Sequence, residues 1–437
     1  MTNEIHEMLV NRVDQQKQAV GIVAGVIGPN GRRLNAYGNL AKADPRVVDG
    51  DTIFEIGSIS KVFTSLVLAD MVSRGEVALD DPAAKYLPEH VKMPERNGKS
   101  ITLLDLSTHR SGLPNVINLK PRGPTNPDAG YSVDDLYQFL SHYELPRDPG
   151  SEFEYSNLGA GLLGHLLAYR AGWDFESMIR SRITEPLGIP DTGITLTSSM
   201  KQRMATGHNS ILGPVANRDS LTLAGAGALR SSANDMLTFL EAFLAYKQTP
   251  LAPAMKIMLE VRRAMGNTKF EIALGWAVFG EVAWHSGGTG GFRSFIGCDL
   301  KAGSGVIVLS NASTPGGVDD IAFHLLNPKV PLANFEHPKQ RTEVHLDLKL
   351  LDNYTGRYQS ADRIFEITRH GGRLFAQGFG PAGIGGPMFE LFAESEKNFF
   401  VKETGSQFNF ETESEGRATR VIMHRVGREP LSFPRLF

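Results

Sequence analysis

Ser58 and Lys61 stand three residues apart at the start of the stretch GSISKVFTSLVLADMVSR, and side chains so spaced share one face of a helix. A serine hydroxyl is a poor nucleophile until a base takes its proton. An amine can be that base only where burial or neighbouring charge keeps it neutral part of the time. Tyr155-Ser156-Asn157 and His285-Ser286-Gly287 are candidate partners. Spacing alone is weak, because Ser198 and Lys201 repeat it and Tyr37-Gly38-Asn39 and His370-Gly371-Gly372 satisfy loose forms of the other two patterns.

The elements around each pattern separate them. Apolar Val62, Phe63, Leu66, Val67, Met71 and Val72 recur at helical spacing and Gly75 supplies a stop, so Lys61 lies one turn into an apolar helix. Tyr155 follows Pro149-Gly150 on a loop and precedes the helical run LGAGLLGHLLAYRAG, and His285 ends a strand that enters Gly287-Gly288-Thr289-Gly290-Gly291. A helix start, a loop and a strand edge can converge on one cleft. Ser198 to Lys201 is followed by the polar run QRMATGHN and reads as surface; Tyr37 sits at the end of a hairpin and His370 in a hairpin turn. Either Lys61 or Tyr155 could take the Ser58 proton, and Asn157 would orient Lys61 or hold a substrate carbonyl. His109 reads as a structural histidine in a turn, and Trp276, Trp284 and Phe292 as core or as lining of an acyl pocket.

In this order the three motifs resemble those of the class C β-lactamase and penicillin-binding-protein family of serine hydrolases, with its family VIII-type esterase and D-aminopeptidase members. The stretches LDDP at Leu79, LLDLSTHRSGLP at Leu103 and EPLG at Glu185 are similar to the family as well, over roughly residues 8 to 325. The resemblance implies a nucleophile at Ser58 and an oxyanion hole made by the backbone N–H groups of Ser58 and Gly288, with Gly287 and Gly288 letting substrate approach the backbone. It also exposes a departure, because β-lactamases usually carry lysine where this chain has His285. A mostly neutral imidazole holds a substrate carboxylate less firmly. The expectation is an esterase of small acyl esters; the alternatives are a D-stereospecific aminopeptidase or amidase, a weak β-lactamase or D,D-carboxypeptidase, and, from another class, a non-catalytic penicillin-binding or ligand-sensing protein. No cofactor and no metal are expected. The chain has neither a Gly-x-Ser-x-Gly elbow nor a His-Glu-x-x-His element.

The 437 residues suit two domains. With 45 basic against 48 acidic side chains, nothing favours capture of nucleic acid or of an anionic membrane, and a small ester or amide fits better as partner. The single Cys298 excludes an internal disulfide and reads as a buried thiol. MTNEIHEMLVNRVDQQKQ forms an amphipathic helix without the features of a secretory signal, so a cytoplasmic protein is expected.

Val20 to Ile27 and Arg32 to Tyr37 read as a hairpin about Gly28-Pro29-Asn30-Gly31. A mostly helical region follows, with loops at Asn115 to Gly130 and Leu145 to Phe153 and a capped helix start at Ser232. Strands return at Leu274 to Phe279, Val282 to His285, Arg293 to Asp299 and Gly305 to Ser310, before a helix at Val318 to Leu326. Strands from both ends must join around the helical insertion, which predicts an α+β fold with an antiparallel sheet over residues 1–328. A proline-bearing linker over 329–345 leads to a second domain, 346–437, with a short helix at Leu346 to Tyr354 and strands at Ile364 to Arg369, Leu374 to Gln377, Met388 to Ala393, Asn398 to Lys402, Gln407 to Glu411 and Thr419 to Arg425. That spacing indicates a small antiparallel barrel or sandwich. It resembles the lipocalin-like appendage of some family members, which implies cover for the cleft or a role in assembly, so a homo-oligomer enters the expectations.

Overall fold

In the computed structural model, helix α1 (Thr2–Val10) runs into a π-turn at Asn11–Gln15. Arg12 in that turn is buried and bonds Asp320 at 2.5 Å and the Gly317 carbonyl at 2.8 Å. Strands β1 (Gly21–Gly28) and β2 (Gly31–Ala41) form the expected hairpin, Gly28 facing Gly31 across Pro29-Asn30, and β3 (Asp44–Val47) extends it. The structure describes every residue except 1, 116–130, 218–221, 336–340, 361–362, 380–384, 403–404, 414–415, 425–428 and 437. Most of the loop expected at Asn115 to Gly130, and the last residue of the strand expected at Thr419 to Arg425, lie outside the described residues.

Helix α2 (Ser60–Ser73) is buried from Ser60 through Met71, so it has no solvent face and must be apolar around its circumference. Its one buried acid, Asp70, is paired with Arg74 at 2.8 Å and Arg182 at 2.9 Å. Cutting Leu66, which is fully buried, to alanine would cost about 2–5 kcal/mol through the cavity left behind. The helical region continues through α3 (Asn157–Ala171) to α4 (Ala233–Phe243). Ser232 caps α4 as expected, accepting the Asp235 N–H. The Asp235 carboxylate does not close the box; it accepts from Asp191 N and Thr192 Oγ1 instead.

The chain then returns to the sheet as β4 (Arg263–Ala264), β5 (Glu271–Ile272), β6 (Ala277–Phe279), β7 (Val282–Gly288), β8 (Arg293–Asp299) and β9 (Ser304–Ser310), and ends the domain on α5 (Asp319–Leu326). The order β4-β5-β6-β7-β8-β9-β1-β2-β3 joins strands from both ends of the domain. Every pairing is antiparallel, including the β1–β9 contact that closes the insertion. The class is therefore α+β. The strand expected from Leu274 begins only at Ala277, because the backbone turns at Gly275, with φ at +75°.

Alternation divides the sheet's faces. Ile22, Ala24, Phe295, Val306 and Val308 pack with Ile5 and Leu9 of α1 and Ile321 of α5. Val23, Ile27, Ile296, Cys298, Ile307 and Leu309 join the larger core with α2 and α4. His285 lies opposite Ile296 and so shares the α2 face. β6 pairs only with Val282–Trp284 of β7, which leaves His285–Gly288 bonded on the β8 side alone.

The chain divides into two units. Met1–His208, Pro214–Ser313 and Gly317–Asn334 form the first; Phe335–Phe437, with Asn209–Gly213 and Thr314–Gly316, form the second. In the second, a short helix (Leu348–Asp352) precedes eight strands paired in succession: β10 (Gly356–Ser360), β11 (Arg363–His370), β12 (Arg373–Phe379), β13 (Gly385–Ala393), β14 (Asn398–Phe400), β15 (Gln407–Thr412), β16 (Ala418–His424) and β17 (Leu431–Pro434). A bridge between Tyr358 and Arg435 and a bond from Leu436 N to Arg357 O bring the last strand back to the first, nearly closing a barrel. Its core is packed with Tyr354, Tyr358, Phe399, Phe408, Phe410 and Phe433.

Candidate active site

Ser58 belongs to a 3-10 turn, Gly57–Ile59, that leads into α2. The cap position of α2 falls on Ile59 and no side chain caps the helix, so the Ser58 hydroxyl is not consumed as a helix cap. Lys61 lies one turn on, 2% exposed, with Nζ 3.0 Å from Ser58 Oγ, 2.7 Å from Asn157 Oδ1 and 2.6 Å from the Ala226 carbonyl. The last two contacts are to oxygens that can only accept. As an ammonium, Lys61 donates to all three; on losing a proton it keeps two N–H groups for the carbonyl oxygens and turns its lone pair to the Ser58 hydroxyl. Burial pushes the Lys61 pKa down to about 7. The Ala226 carbonyl comes from the 3-10 turn Ala224–Ala226, which Thr64 Oγ1 on α2 holds through the Gly225 carbonyl at 2.9 Å.

Tyr155 and Asn157 lie along a template formed by residues 109–115. The Glu154 and Ser156 N–H groups donate to His109 O (2.8 Å) and His109 Nδ1 (3.2 Å). Ser156 Oγ donates to the Pro114 carbonyl at 2.7 Å and caps α3 by accepting from Gly159 N. Asn115 Oδ1 receives Asn157 Nδ2 at 2.9 Å and Asn157 N at 3.2 Å. Because Nδ2 is engaged there, the amide must present Oδ1 to Lys61. Burial pushes the Tyr155 hydroxyl up to about 12, against a smaller opposite pull from Ser58. Lys61 Nζ sits 5.0 Å from the Tyr155 ring centroid.

His285 faces this group from β7, its ring centroid 6.4 Å from that of Tyr155. Nδ1 donates to the Ser286 carbonyl at 2.7 Å, so Nε2 of the neutral ring is an acceptor. Burial, helped by the nearby Lys61, lowers its pKa to about 4. Beside it, the Gly57 turn is pressed against Gly288: a Cβ on Gly57 would meet Gly288 N at 2.7 Å, and its φ is +50°. A Cβ on Gly287 would meet the Ile56 carbonyl and Ser294 Oγ, both at 2.1 Å. The missing side chain at 287 thus makes room for the chain's own turn, where the sequence suggested room for substrate; the space beyond Gly288 holds Arg293, whose Nη1 lies 2.8 Å from a Cβ built there.

Ser58, Lys61, Tyr155, Asn157, His285, Gly287 and Gly288 therefore lie together, whereas Ser198 and Lys201 are exposed on a separate short helix, Ser198–Arg203. Tyr37 bonds Asp14, and His370 packs on Phe375 in the second unit. Trp276 and Phe292 are core, and Trp284 packs edge-on against Phe323 and Phe270. Two contributors escape the motif search, the Ala226 carbonyl and Asn115, while His109, read as a structural histidine in a turn, packs against Tyr155. Asn115 directly follows the SGLP stretch, a signal that could have drawn attention to it; a backbone carbonyl leaves none. Among the described residues, no cluster of three or more His, Cys, Asp or Glu could hold a metal, and no helix is long and apolar enough to cross a membrane.

A strand end paired on one side only, a half-buried serine beside a buried lysine, and a tyrosine from a helical insertion describe a class of serine hydrolase. The family described as Beta-lactamase matches residues 7–327, and the chain belongs to that family. Among curated relatives, the D-alanyl-D-alanine-carboxypeptidase/endopeptidase AmpH of Escherichia coli K12 is 27% identical over 337 residues, covering 71% of this chain and 86% of that protein. A Beta-lactamase of the same organism is 26% identical over 370 residues, covering 74% and 92%. Among solved structures, the Beta-lactamase/D-alanine Carboxypeptidase from Yersinia pestis, complexed with citrate, superposes with a TM-score of 0.65 at 24% identity, covering 76% of this chain and 99% of that one.

Proposed function

We propose that this serine hydrolase cleaves small, uncharged carboxylic esters through an acyl-enzyme on Ser58. The observation that carries the proposal is the bonding of Lys61, whose two N–H groups point at carbonyl oxygens and whose remaining direction points at Ser58 Oγ. Lys61 takes the hydroxyl proton as Oγ attacks the ester carbonyl. The developing oxyanion lies between the backbone N–H groups of Ser58 and Gly288, where losing one donor typically costs about a hundredfold or more in rate. Tyr155, protonated at all working pH, gives its proton to the departing alkoxide and regains one from Lys61. Water then attacks the acyl group by the same route in reverse, its proton passing to Lys61 and a proton returning to Ser58 Oγ.

The preference for uncharged acyl groups rests on His285, a neutral acceptor where a carboxylate would need a cation. A second reading, hydrolysis of an amide or peptide bearing a terminal carboxylate, draws on the names of the relatives. There Arg293, set against Gly288, is the residue to vary. A panel of p-nitrophenyl esters, nitrocefin and D- against L-amino-acid anilides, run beside fluorophosphonate labelling, tests both. The expected result is ester turnover with the label on Ser58, both lost in Ser58→Ala. Absence of turnover and of label in the wild type would sink the proposal, and anilide or nitrocefin turnover exceeding that of esters would move it to the second reading.

A further inference from the structure

The sequence reads His109 as a structural histidine in a turn, yet it is bound to the chain on both sides of Tyr155. The helix Leu103–Ser107 starts with a capping box between Thr102 and Asp105 and ends at Thr108. His109 then takes φ of +56°, a left-handed conformation in which Asn, Asp and His are the tolerated side chains after glycine. That reversal carries the ring away from its own helix and under the Tyr155 loop. There it is 3% exposed, edge-on to Phe153 with centroids 5.9 Å apart, and tilted by 38° against the Tyr155 ring at 4.4 Å.

One residue thus supplies two acceptors in register. Its carbonyl takes the N–H of Glu154 at 2.8 Å and its Nδ1 takes the N–H of Ser156 at 3.2 Å, with Tyr155 between them. Nδ1 can accept because burial, with Lys61 and His285 nearby, keeps the ring neutral. The pincer fixes the backbone torsions of Tyr155, and the stacked ring limits its side chain.

We infer that His109 is the positioning residue for Tyr155: its backbone carbonyl and ring nitrogen clamp residues 154 and 156, so that the tyrosine hydroxyl is held at Ser58 during acyl transfer. This rests on the acyl-enzyme reading above. His109 touches neither substrate nor the reacting atoms; it acts through Tyr155 alone.

The test compares His109→Gly with His109→Asn in the full chain. Both accept a positive φ, so backbone strain is not the variable, and only asparagine keeps a side-chain acceptor. Rates are measured as fluorophosphonate labelling of Ser58 and as p-nitrophenyl ester turnover per labelled site, which removes any effect of a lower folded fraction. A displacement of the order of 1 Å at a reacting group costs about a hundredfold, so His109→Gly should lose about that factor in labelling rate and kcat, with KM within about threefold. His109→Asn should recover to within about fivefold of the wild type, the cost of the lost stack alone. In a Tyr155→Phe background the same His109→Gly change should cost less than about threefold more, because the group it positions is gone.

The inference is overturned if His109→Gly labels and turns over within about threefold of the wild type, or if its full penalty persists in the Tyr155→Phe background. Should His109→Gly fail to fold, His109→Ala takes its place in the comparison: a labelling rate more than about fivefold below that of His109→Asn supports the inference, and a smaller difference overturns it. A wild-type protein that neither labels at Ser58 nor turns over ester defeats the acyl-enzyme reading instead, a result distinct from any obtained on the variants.

Discussion

Asn157→Asp places a carboxylate where an amide oxygen now stands, 2.7 Å from Lys61 Nζ, with almost no change in shape. Lys61 in the native site titrates at about 7, through burial alone. An anion in contact favours the protonated amine, and opposite charges within a few ångströms shift a pKa by about 1–3 units. In the proposed mechanism the active form is the neutral amine, so raising the Lys61 pKa moves the acid limb of kcat/KM upward from about 7, to between about 8 and 10. At pH 6 the variant should be about 10- to 1,000-fold slower, and above the new pKa it should regain most of the native plateau. The assay is p-nitrophenyl ester hydrolysis between pH 5 and 10.5, corrected for spontaneous hydrolysis, with fluorophosphonate labelling followed over the same range. A limb that stays at its native position while the plateau falls would refute the reasoning, since Asn157 would then act on substrate and Lys61 would not be the base that sets the limb.

Other outcomes follow from the same geometry. Asn115→Ala releases Asn157 Nδ2, so the amide can flip and present an N–H to Lys61. Labelling of Ser58 should slow by about tenfold or more with little change in thermal stability, as removing one oriented hydrogen bond implies. Gly287→Ala drives a methyl into the Ile56 carbonyl and Ser294 Oγ, both at 2.1 Å, and should lower stability by about 1–3 kcal/mol by denaturant titration. Lys61→Met removes a buried amine whose folded pKa is lowered from 10.5 to about 7. Between those values the unfolded chain binds the extra proton, so wild-type stability should rise from pH 7 to pH 9 by about 1 kcal/mol per unit, and the variant should lose that slope. A variant as steep as the wild type would place the titrating group elsewhere.

The fold was legible where periodicity and turn chemistry agreed. The β1–β2 hairpin, the β8 strand and the capped start of α4 follow from local rules, and the helical insertion between strands follows from their order. What escaped obeys contacts that local rules do not contain. β10, with the sequence GRYQS, and β17, with LSFP, have weak strand patterns. They are held by their places in the barrel, where the Arg435 guanidinium beside β17 reaches the carbonyls of Asn353 and Ala418. The strand expected from Leu274 is shortened because Gly275 abuts the Lys61 carbonyl and the Ser65 side chain, a packing demand set by a helix more than two hundred residues earlier.

The site divides in the same way between what side chains announce and what backbone supplies. Serine, lysine, tyrosine and histidine advertise chemistry, so a reader of the sequence can name Ser58, Lys61, Tyr155 and His285 from their settings. The quantity that decides whether Lys61 is a base is different, because it depends on which atoms surround Nζ once the chain is folded. Two of its three contacts are to neutral carbonyl oxygens, from Asn157 and Ala226, and neither brings a charge that would hold the proton. Had either been a carboxylate, the same Ser-x-x-Lys pattern would describe an inert ion pair at neutral pH. The Ala226 carbonyl could have come from almost any residue type, since every residue carries one. A motif can therefore nominate the amine, while its activation rests on a turn at Ala224–Ala226 and on an asparagine whose amide is oriented by Asn115.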